Sequence, residues 1–218
     1  MCGRFALFSS KQAILNYYKA LNKLTDFQKS FNIAPQQYTP VVIRYENKDM
    51  LVKMKWGLIP FWSKTDKYAA KMINARAETV AKKPAYKYAF KYRRCLIPVN
   101  GFFEWHFSNK QPYFIRMKDN RLFSLAGLWE KWKNESGEKI TTFTIITKNA
   151  EGNLKQIHKR MPVVLTKKEH LDWVKLQDLN EAKRLLFNEN HKKLEFYTIS
   201  KRVNSPQNND EKIINQVK

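Results

Sequence analysis

Arg94-Cys95-Leu96-Ile97-Pro98-Val99-Asn100-Gly101-Phe102-Phe103-Glu104-Trp105 is the stretch from which the fold is read. Its first half is an apolar run of strand length, and its second half is aromatic, so strands are predicted over 94–99 and 102–107. Working outward, the same patterning predicts strands over 113–117, 122–129, 141–147 and 194–199, with Asn134-Glu135-Ser136-Gly137 as the turn before the third of these. Upstream, Val41-Val42-Ile43-Arg44-Tyr45 and the run from Met50 to Trp56 flank Glu46-Asn47-Lys48-Asp49 as a hairpin. Helices are few. One is expected over 11–24, where Ala13, Ile14, Tyr17, Tyr18, Leu21 and Leu24 recur at helical spacing behind Ser9 or Ser10 as N-cap, and two more over 167–176 and 179–188. Many strands with few helices predict an α+β fold, a single domain built around a curved antiparallel sheet. The domain is expected to span residues 2–204, leaving 205–218 as a polar C-terminal tail.

The chain has 218 residues, with 41 Lys+Arg against 19 Asp+Glu and a formal charge of +22. A hydrophobic content of 43% is enough for a packed core, which excludes a disordered basic tail protein. No apolar run approaches the roughly 18 residues of a membrane span, and the opening Met1-Cys2-Gly3-Arg4 lacks the charged n-region of a signal peptide. A cytoplasmic protein without a membrane partner is therefore expected. Only ten of the cations are Arg, the remaining 31 being Lys, and scattered Lys serves solubility. A specific nucleic-acid footprint would instead place Arg beside aromatics in loops, where guanidinium groups grip phosphates and rings stack on bases.

The two cysteines, Cys2 and Cys95, make no disulfide framework and no Cys/His cluster, so neither a metal nor an organic cofactor is expected. Cys95, inside an apolar run, reads as a buried core thiol. Cys2 differs because a small second residue favours removal of the initiator methionine. It would then carry an amine and a thiol on adjacent carbons, a 1,2-aminothiol that condenses with an aldehyde: the amine forms an imine and the thiolate closes a five-membered thiazolidine. Free reference pKa values are about 7.7–8.0 for the amine and about 8.5 for the thiol, and neighbouring cations lower both. The alternative is that Cys2 is an incidental small residue beside the start.

Six segments occur in order: Met1-Cys2-Gly3-Arg4-Phe5, Asn32-Ile33-Ala34-Pro35, Trp56-Gly57-Leu58-Ile59-Pro60 with Trp62, Asn74-Ala75-Arg76-Ala77-Glu78, Pro98 to Trp105, and His158-Lys159-Arg160-Met161-Pro162. Together they resemble the SOS response-associated peptidase (SRAP) family, and the resemblance runs from Cys2 to Val203-Asn204. Lys159 stands where an acidic residue or Asn is more usual, and Glu151 where Asn is common. The resemblance implies a barrel-like β core and a DNA-damage role: a monomer that binds single-stranded DNA, and the nucleoid with it, and shields abasic sites by a reversible covalent crosslink. It assigns Cys2 as nucleophile, Asn74 as a hydrogen-bonding partner of the amine or the opened sugar, Glu104 as proton shuttle and His158 as the group acting on ring opening. Arg76 and Arg160, with Arg4, would hold phosphates, and Trp62 and Trp105 would flank the strand where stacking is interrupted.

Other readings of these residues stay open at this level. Glu104 is also the outward position of an alternating strand, His158 a solvent-facing histidine, and Arg76 and Glu78 share a strand face where each might pair with a neighbour. Trp56, Trp129 and Trp173 read as core. His106, His170 and His191, with no motif around them, read as surface residues. Two other functions use the same features. One is a thiol peptidase acting through Cys2, Glu104 and His158, with self-removal of Met1 as its narrowest form. The other is a non-covalent DNA-binding module in which Cys2 is dispensable.

Overall fold

The computed structural model describes residues 2–175 and 178–217. The N-terminal third contains β1 (Arg4–Leu7), α1 (Lys11–Tyr18), β2 (Leu21–Asn22), β3 (Ser30–Ile33), β4 (Tyr38–Tyr45), β5 (Lys48–Trp56) and β6 (Asn74–Arg76). Next come α2 (Pro84–Tyr92), β7 (Arg94–Val99), β8 (Gly101–Trp105), β9 (Pro112–Met117), β10 (Phe123–Lys133) and β11 (Lys139–Asn149). The last elements are β12 (Arg160–Pro162), β13 (Val164–Leu165), α3 (Lys167–Lys175), α4 (Leu179–Leu185) and β14 (Leu194–Thr198).

Two sheets organise these strands. In one, β5, β4, β7, β10 and β11 pair in succession, and a parallel contact of Thr142 and Phe143 with Lys55 and Trp56 joins the last strand to the first. Five strands thereby close into a barrel, which removes the free edges an open sheet would leave. The second sheet has the order β14-β9-β8-β1-β3. The fold is thus α+β, a single domain as the strand count predicts, with the barrel-like core that the family resemblance implies.

Alternation along β8 shows how the core divides. Phe102 belongs to the main core with Phe5, Trp56 and Phe143, whereas Phe103 joins a second cluster with Ala6, Phe114, Ile199, Val203 and Ile213. Trp56 and Trp173 are fully buried, and so is the Cys95 thiol. Trp129 is half-buried against the main core. The hairpin turn is tight: Glu46 and Asn47 both take positive φ, 46° and 61°, the geometry of a two-residue turn whose twist matches the strands it joins.

Besides α2, a helix that the sequence pattern does not predict, three details differ from it. The helix expected over 11–24 stops at Tyr18, because Lys19 turns left-handed (φ 52°) and its N–H bonds back to the Leu15 carbonyl. Ser10 Oγ caps the other end by accepting from Ala13 N–H. Leu21 then pairs with Met50 in β2, so the apolar period belongs to two elements. The helix expected over 179–188 ends at Leu185; Asn188 instead turns its side-chain amide to the Val164 carbonyl and to Glu169. Residue 176, the expected end of α3, lies outside the described residues.

The third difference is His170, which is buried rather than on the surface. It lies with Trp173 on the inner face of α3, stacks on Tyr18 at 5.0 Å and sits 2.8 Å from Ser124 Oγ. Burial pushes its pKa down to about 4, so the ring is a neutral hydrogen-bonding core residue.

Lys19 supplies a stability test. A non-glycine residue in the left-handed region costs about 1 kcal/mol, and the Lys19 side chain is exposed with no packing to lose. Lys19→Gly is expected to raise the urea unfolding free energy by about 0.5–1 kcal/mol without changing the slope.

Candidate active site

Three parts of the fold meet around residue 2. The first is the β1–β8 pair, in which Arg4 faces Phe103 and Phe5 faces Phe102; this antiparallel register carries Cys2 along the strand toward Glu104. Gly101 permits that pairing, because a Cβ there would meet the Phe114 ring at 2.3 Å. The second part is β6, which runs parallel to β11 and presents Asn74, whose Nδ2 donates to the Cys2 carbonyl at 2.8 Å. Asn74 Oδ1 has no hydrogen-bond partner among the described residues, so an acceptor stays available beside Cys2. The third is the loop before β12 that carries His158. Its Ile157 carbonyl accepts from Phe107 N–H, two residues beyond Trp105, and ties the loop to the end of the Glu104 strand.

Electrostatics follows from burial. Glu104 is only 4% exposed, on the same strand face as Phe102, so it is not the outward position of the alternation. Desolvation pushes its pKa up to about 7, opposed in part by a hydrogen bond from the Trp105 backbone. Cys2 is fully buried; burial, and then the Glu104 charge, push its thiol well above the ordinary range. His158 is shifted the other way, chiefly by burial and further by Lys110 and Arg160, so its ring is neutral near pH 7. His158 Nδ1 lies 3.0 Å from the Arg160 backbone N–H and 3.2 Å from the Arg160 carbonyl, so the Arg160 backbone orients the ring in either tautomer.

The arginines divide into held and exposed. Arg160 grips Glu78 with two parallel hydrogen bonds, at 2.6 and 2.9 Å, and also donates to Asn149 Oδ1 at 2.8 Å and to the Thr147 carbonyl. That fork fixes the β12 strand against the segment following β6, and with it the loop holding His158. Arg4 donates to Asn32 Oδ1 at 2.7 Å and to the Val203 carbonyl at 2.8 Å. Arg76, at the end of β6, is exposed.

The two tryptophans differ in the same way. Trp62 is 57% exposed on a turn in the loop between β5 and β6. That loop begins at Gly57 (φ 127°), where a Cβ would meet the Ala69 carbonyl oxygen at 2.5 Å. Trp105 is half-buried against the second cluster, and its indole N–H donates to Asn204 Oδ1 at 2.8 Å. Lys159 is exposed, while Glu151 is tied to the buried Lys148 at 2.8 Å and to His191 at 2.7 Å.

Two residues to which sequence reasoning assigned no role organise this region. Asn32, buried, donates to the carbonyls of Val203, Ser205 and Asn208, and Asn209 caps the Phe31 and Asn32 N–H groups. The segment after residue 204 is thereby held on the second sheet, with Ile213 in its core. Tyr86 on α2 donates from its hydroxyl to the Asn74 carbonyl at 3.3 Å. The Asn32 segment and the Val203-Asn204 pair stand out in the sequence; nothing there marks them as partners across some 170 residues. Among the described residues no group of three His, Cys, Asp or Glu side chains is arranged to hold a metal ion, and no helix is long and apolar enough to cross a membrane.

Fold and site together define a single-domain barrel protein that brings a buried cysteine, just before its first strand, beside a buried carboxylic acid on β8. The family model described as SOS response associated peptidase (SRAP) matches residues 1–206. The chain is 38% identical to the abasic site processing protein YoqW of Bacillus subtilis (strain 168), over 98% of this chain and 99% of that one. It is 30% identical to the abasic site processing protein HMCES of Gallus gallus, over 84% of this chain and 64% of that one. A crystal structure of a Bacteroides thetaiotaomicron protein superposes with a TM-score of 0.86 at 27% identity, covering 99% of this chain and all of that one. The chain belongs to the SRAP family.

The Arg160–Glu78 fork carries a pH-dependent prediction. Partial burial is the largest single influence on the Glu78 pKa and raises it, but the hydrogen bonds and charge of Arg160, with the Glu78 and Asn149 backbone, together outweigh it and hold the pKa below its ordinary value. A depressed carboxylate contributes stability that is present above its unfolded pKa and lost as pH falls through the folded one. Because Glu78 is about a third exposed, the contribution is that of a screened surface pair. Glu78→Gln is expected to lose at most about 1 kcal/mol at pH 7, and the difference from the parent should vanish in unfolding measured below the carboxylate range.

Proposed function

We propose that this protein processes abasic sites in single-stranded DNA by linking Cys2 covalently to the opened deoxyribose. The observation that carries the reading is the arrangement around residue 2: Asn74 bonded to its carbonyl, and Glu104 buried close enough to raise its thiol. The names of the similar Bacillus and Gallus proteins support the same substrate.

In the chain that retains residue 1, the Cys2 nitrogen is an amide and the buried thiol is held protonated, so the residue is inert. Removal of residue 1 frees the amine. The amine adds to the aldehyde carbon of the ring-opened sugar, and the carbinolamine loses water to give the imine. The Cys2 sulfur then attacks the imine carbon and the nitrogen takes a proton, closing the thiazolidine; the net change is loss of one water. Glu104 in its acid form donates the proton that the departing hydroxyl needs, and as carboxylate it accepts one when the thiol adds. The same acid protonates the ring nitrogen or sulfur when the link reopens. His158, a neutral ring held by the Arg160 backbone, acts on the sugar hydroxyl that opens the ring. Arg76 and Trp62, both exposed, contact phosphate and base. Arg4, Arg160 and Trp105 contribute from positions already fixed by protein hydrogen bonds.

Two measurements test this. Incubation with single-stranded DNA bearing one abasic site should give a heat-stable band on a denaturing gel. Its intact mass should equal protein without Met1 plus DNA less one water, and Cys2→Ala should give none. An adduct of equal yield from Cys2→Ala would sink the proposal and leave a lysine Schiff base in its place. The rate of adduct formation should also show an ionisation near pH 7. Glu104 supplies its proton below that pH and loses it above. Glu104→Gln should remove this ionisation and slow the reaction about a hundredfold, leaving the ionisation of the amine in place.

A further inference from the structure

Outside the site, one surface combines exposed rings and unopposed cations. Phe61, Tyr88 and Tyr92 are 51%, 47% and 57% exposed, although side chains of this size usually bury. They form a continuous row, with centroids 5.4 Å apart from Phe61 to Tyr88 and 4.9 Å from Tyr88 to Tyr92. Neighbouring rings are tilted by 49° and 58°, so they do not cover one another's faces. Tyr88 and Tyr92 are one helical turn apart on α2, and the exposed Lys87 and Lys91 repeat at the same interval beside them.

The row is held in place. The Arg93 guanidinium lies 4.9 Å from the Tyr88 centroid and 5.8 Å from that of Phe61. Arg93 is itself fixed at 2.9 Å by Glu130, whose carboxylate is buried. Rings fixed in this way lose little freedom when a flat ligand settles on them.

Charge identifies the ligand. Between Glu78 and Glu104 there is no acidic residue, and Lys82, Lys83, Lys87 and Lys91 are all exposed; Arg93 is paired with Glu130, and Arg94 is buried on the Phe90 and Trp173 carbonyls. The four lysines attract a polyanion, and the rings suit one carrying flat apolar groups. This surface also adjoins the site at both ends. Phe61 precedes Trp62 on the same turn, and α2 begins beside Asn74, to which Tyr86 is bonded. From Tyr86 to Tyr92 the helix rises only about 9 Å.

We propose that the outer face of α2, with Phe61, is a stacking platform that carries the single strand onward from the abasic site. Bases lie on Phe61, Tyr88 and Tyr92, and Lys87 and Lys91 face the phosphates. The proposal rests on the single-stranded DNA reading above and adds to it a contact for undamaged nucleotides.

The test uses the full chain and single strands of about 4 and about 16 nucleotides, without a lesion for binding and with one for crosslinking. Tyr88→Ala/Tyr92→Ala should weaken fluorescence-anisotropy binding of the longer strand by tenfold or more. Crosslink yield on the shorter strand should be unchanged, which also shows that the double variant is folded. Tyr88→Phe/Tyr92→Phe should bind like the parent, because stacking needs the ring and not the hydroxyl. Equal binding of the longer strand by the Ala variant would overturn the platform. So would a parent that sediments as a dimer and a variant that does not, with DNA affinity unaltered; the face would then be occupied by a second copy. If the parent forms no adduct yet the Ala variant loses strand affinity, the platform stands and the crosslinking reading fails.

Discussion

Strand β11 is the constraint on which the rest of the structure depends. One of its edges is taken by β10 over residues 139–145 and then by β12 over 147–149. The other is taken by β5 at 142–143 and then by β6 at 145–147, both parallel to it. The first pair of contacts closes the barrel and the second builds the site. The chain leaves the barrel after Trp56, makes the loop carrying Trp62, and returns to the same strand a few residues further along, which brings Asn74 within reach of Cys2. Parallel pairing requires a long connection, and here that connection is the exposed loop itself. Closing the barrel and positioning the polar site are therefore one act of pairing.

Burial then determines what the assembled groups can do. A carboxyl group buried on the same face of β8 as Phe102 cannot ionise as it would in water, and its proton affinity moves to near neutrality. Burial acts on Cys2 in the same direction, favouring the thiol over the thiolate. A site that suppresses thiolate keeps the Cys2 sulfur in its less reactive form. It also makes reactivity depend on what changes at the amine.

The strands of the barrel were legible because each buries a continuous or alternating apolar face, a pattern that depends only on neighbours in sequence. Helix ends were less so. Lys19 ends α1 in a conformation that glycine usually supplies, and no residue type announces it. His170 looked like a surface residue because its hydrogen-bond partner, Ser124, is 46 residues away. The site residues stood out as motifs, but the motifs did not distinguish a side chain that meets a ligand from one that holds another loop in place. Arg76 and Arg160 sit in similar basic segments; Arg160 spends its donors on Glu78, Asn149 and Thr147, and that division exists only in three dimensions.

The division also changes what the net charge means. Arg4 and Arg160 bind protein groups through their terminal nitrogens, so their charge acts on a polyanion mainly through space, and the buried Nε–H of each has no partner among the described residues. Held arginines give the site rigid walls at the cost of direct grip. Flexible lysines on exposed faces supply long-range attraction, screened beyond roughly 8 Å at physiological salt. Neither class by itself discriminates one polyanion from another. On the proposed reading, discrimination comes from groups that respond to an aldehyde or to a base, namely Cys2 with Glu104 and the exposed rings. The basic surface would then attract polyanions in general, and the small buried polar cluster at residue 2 would select among them.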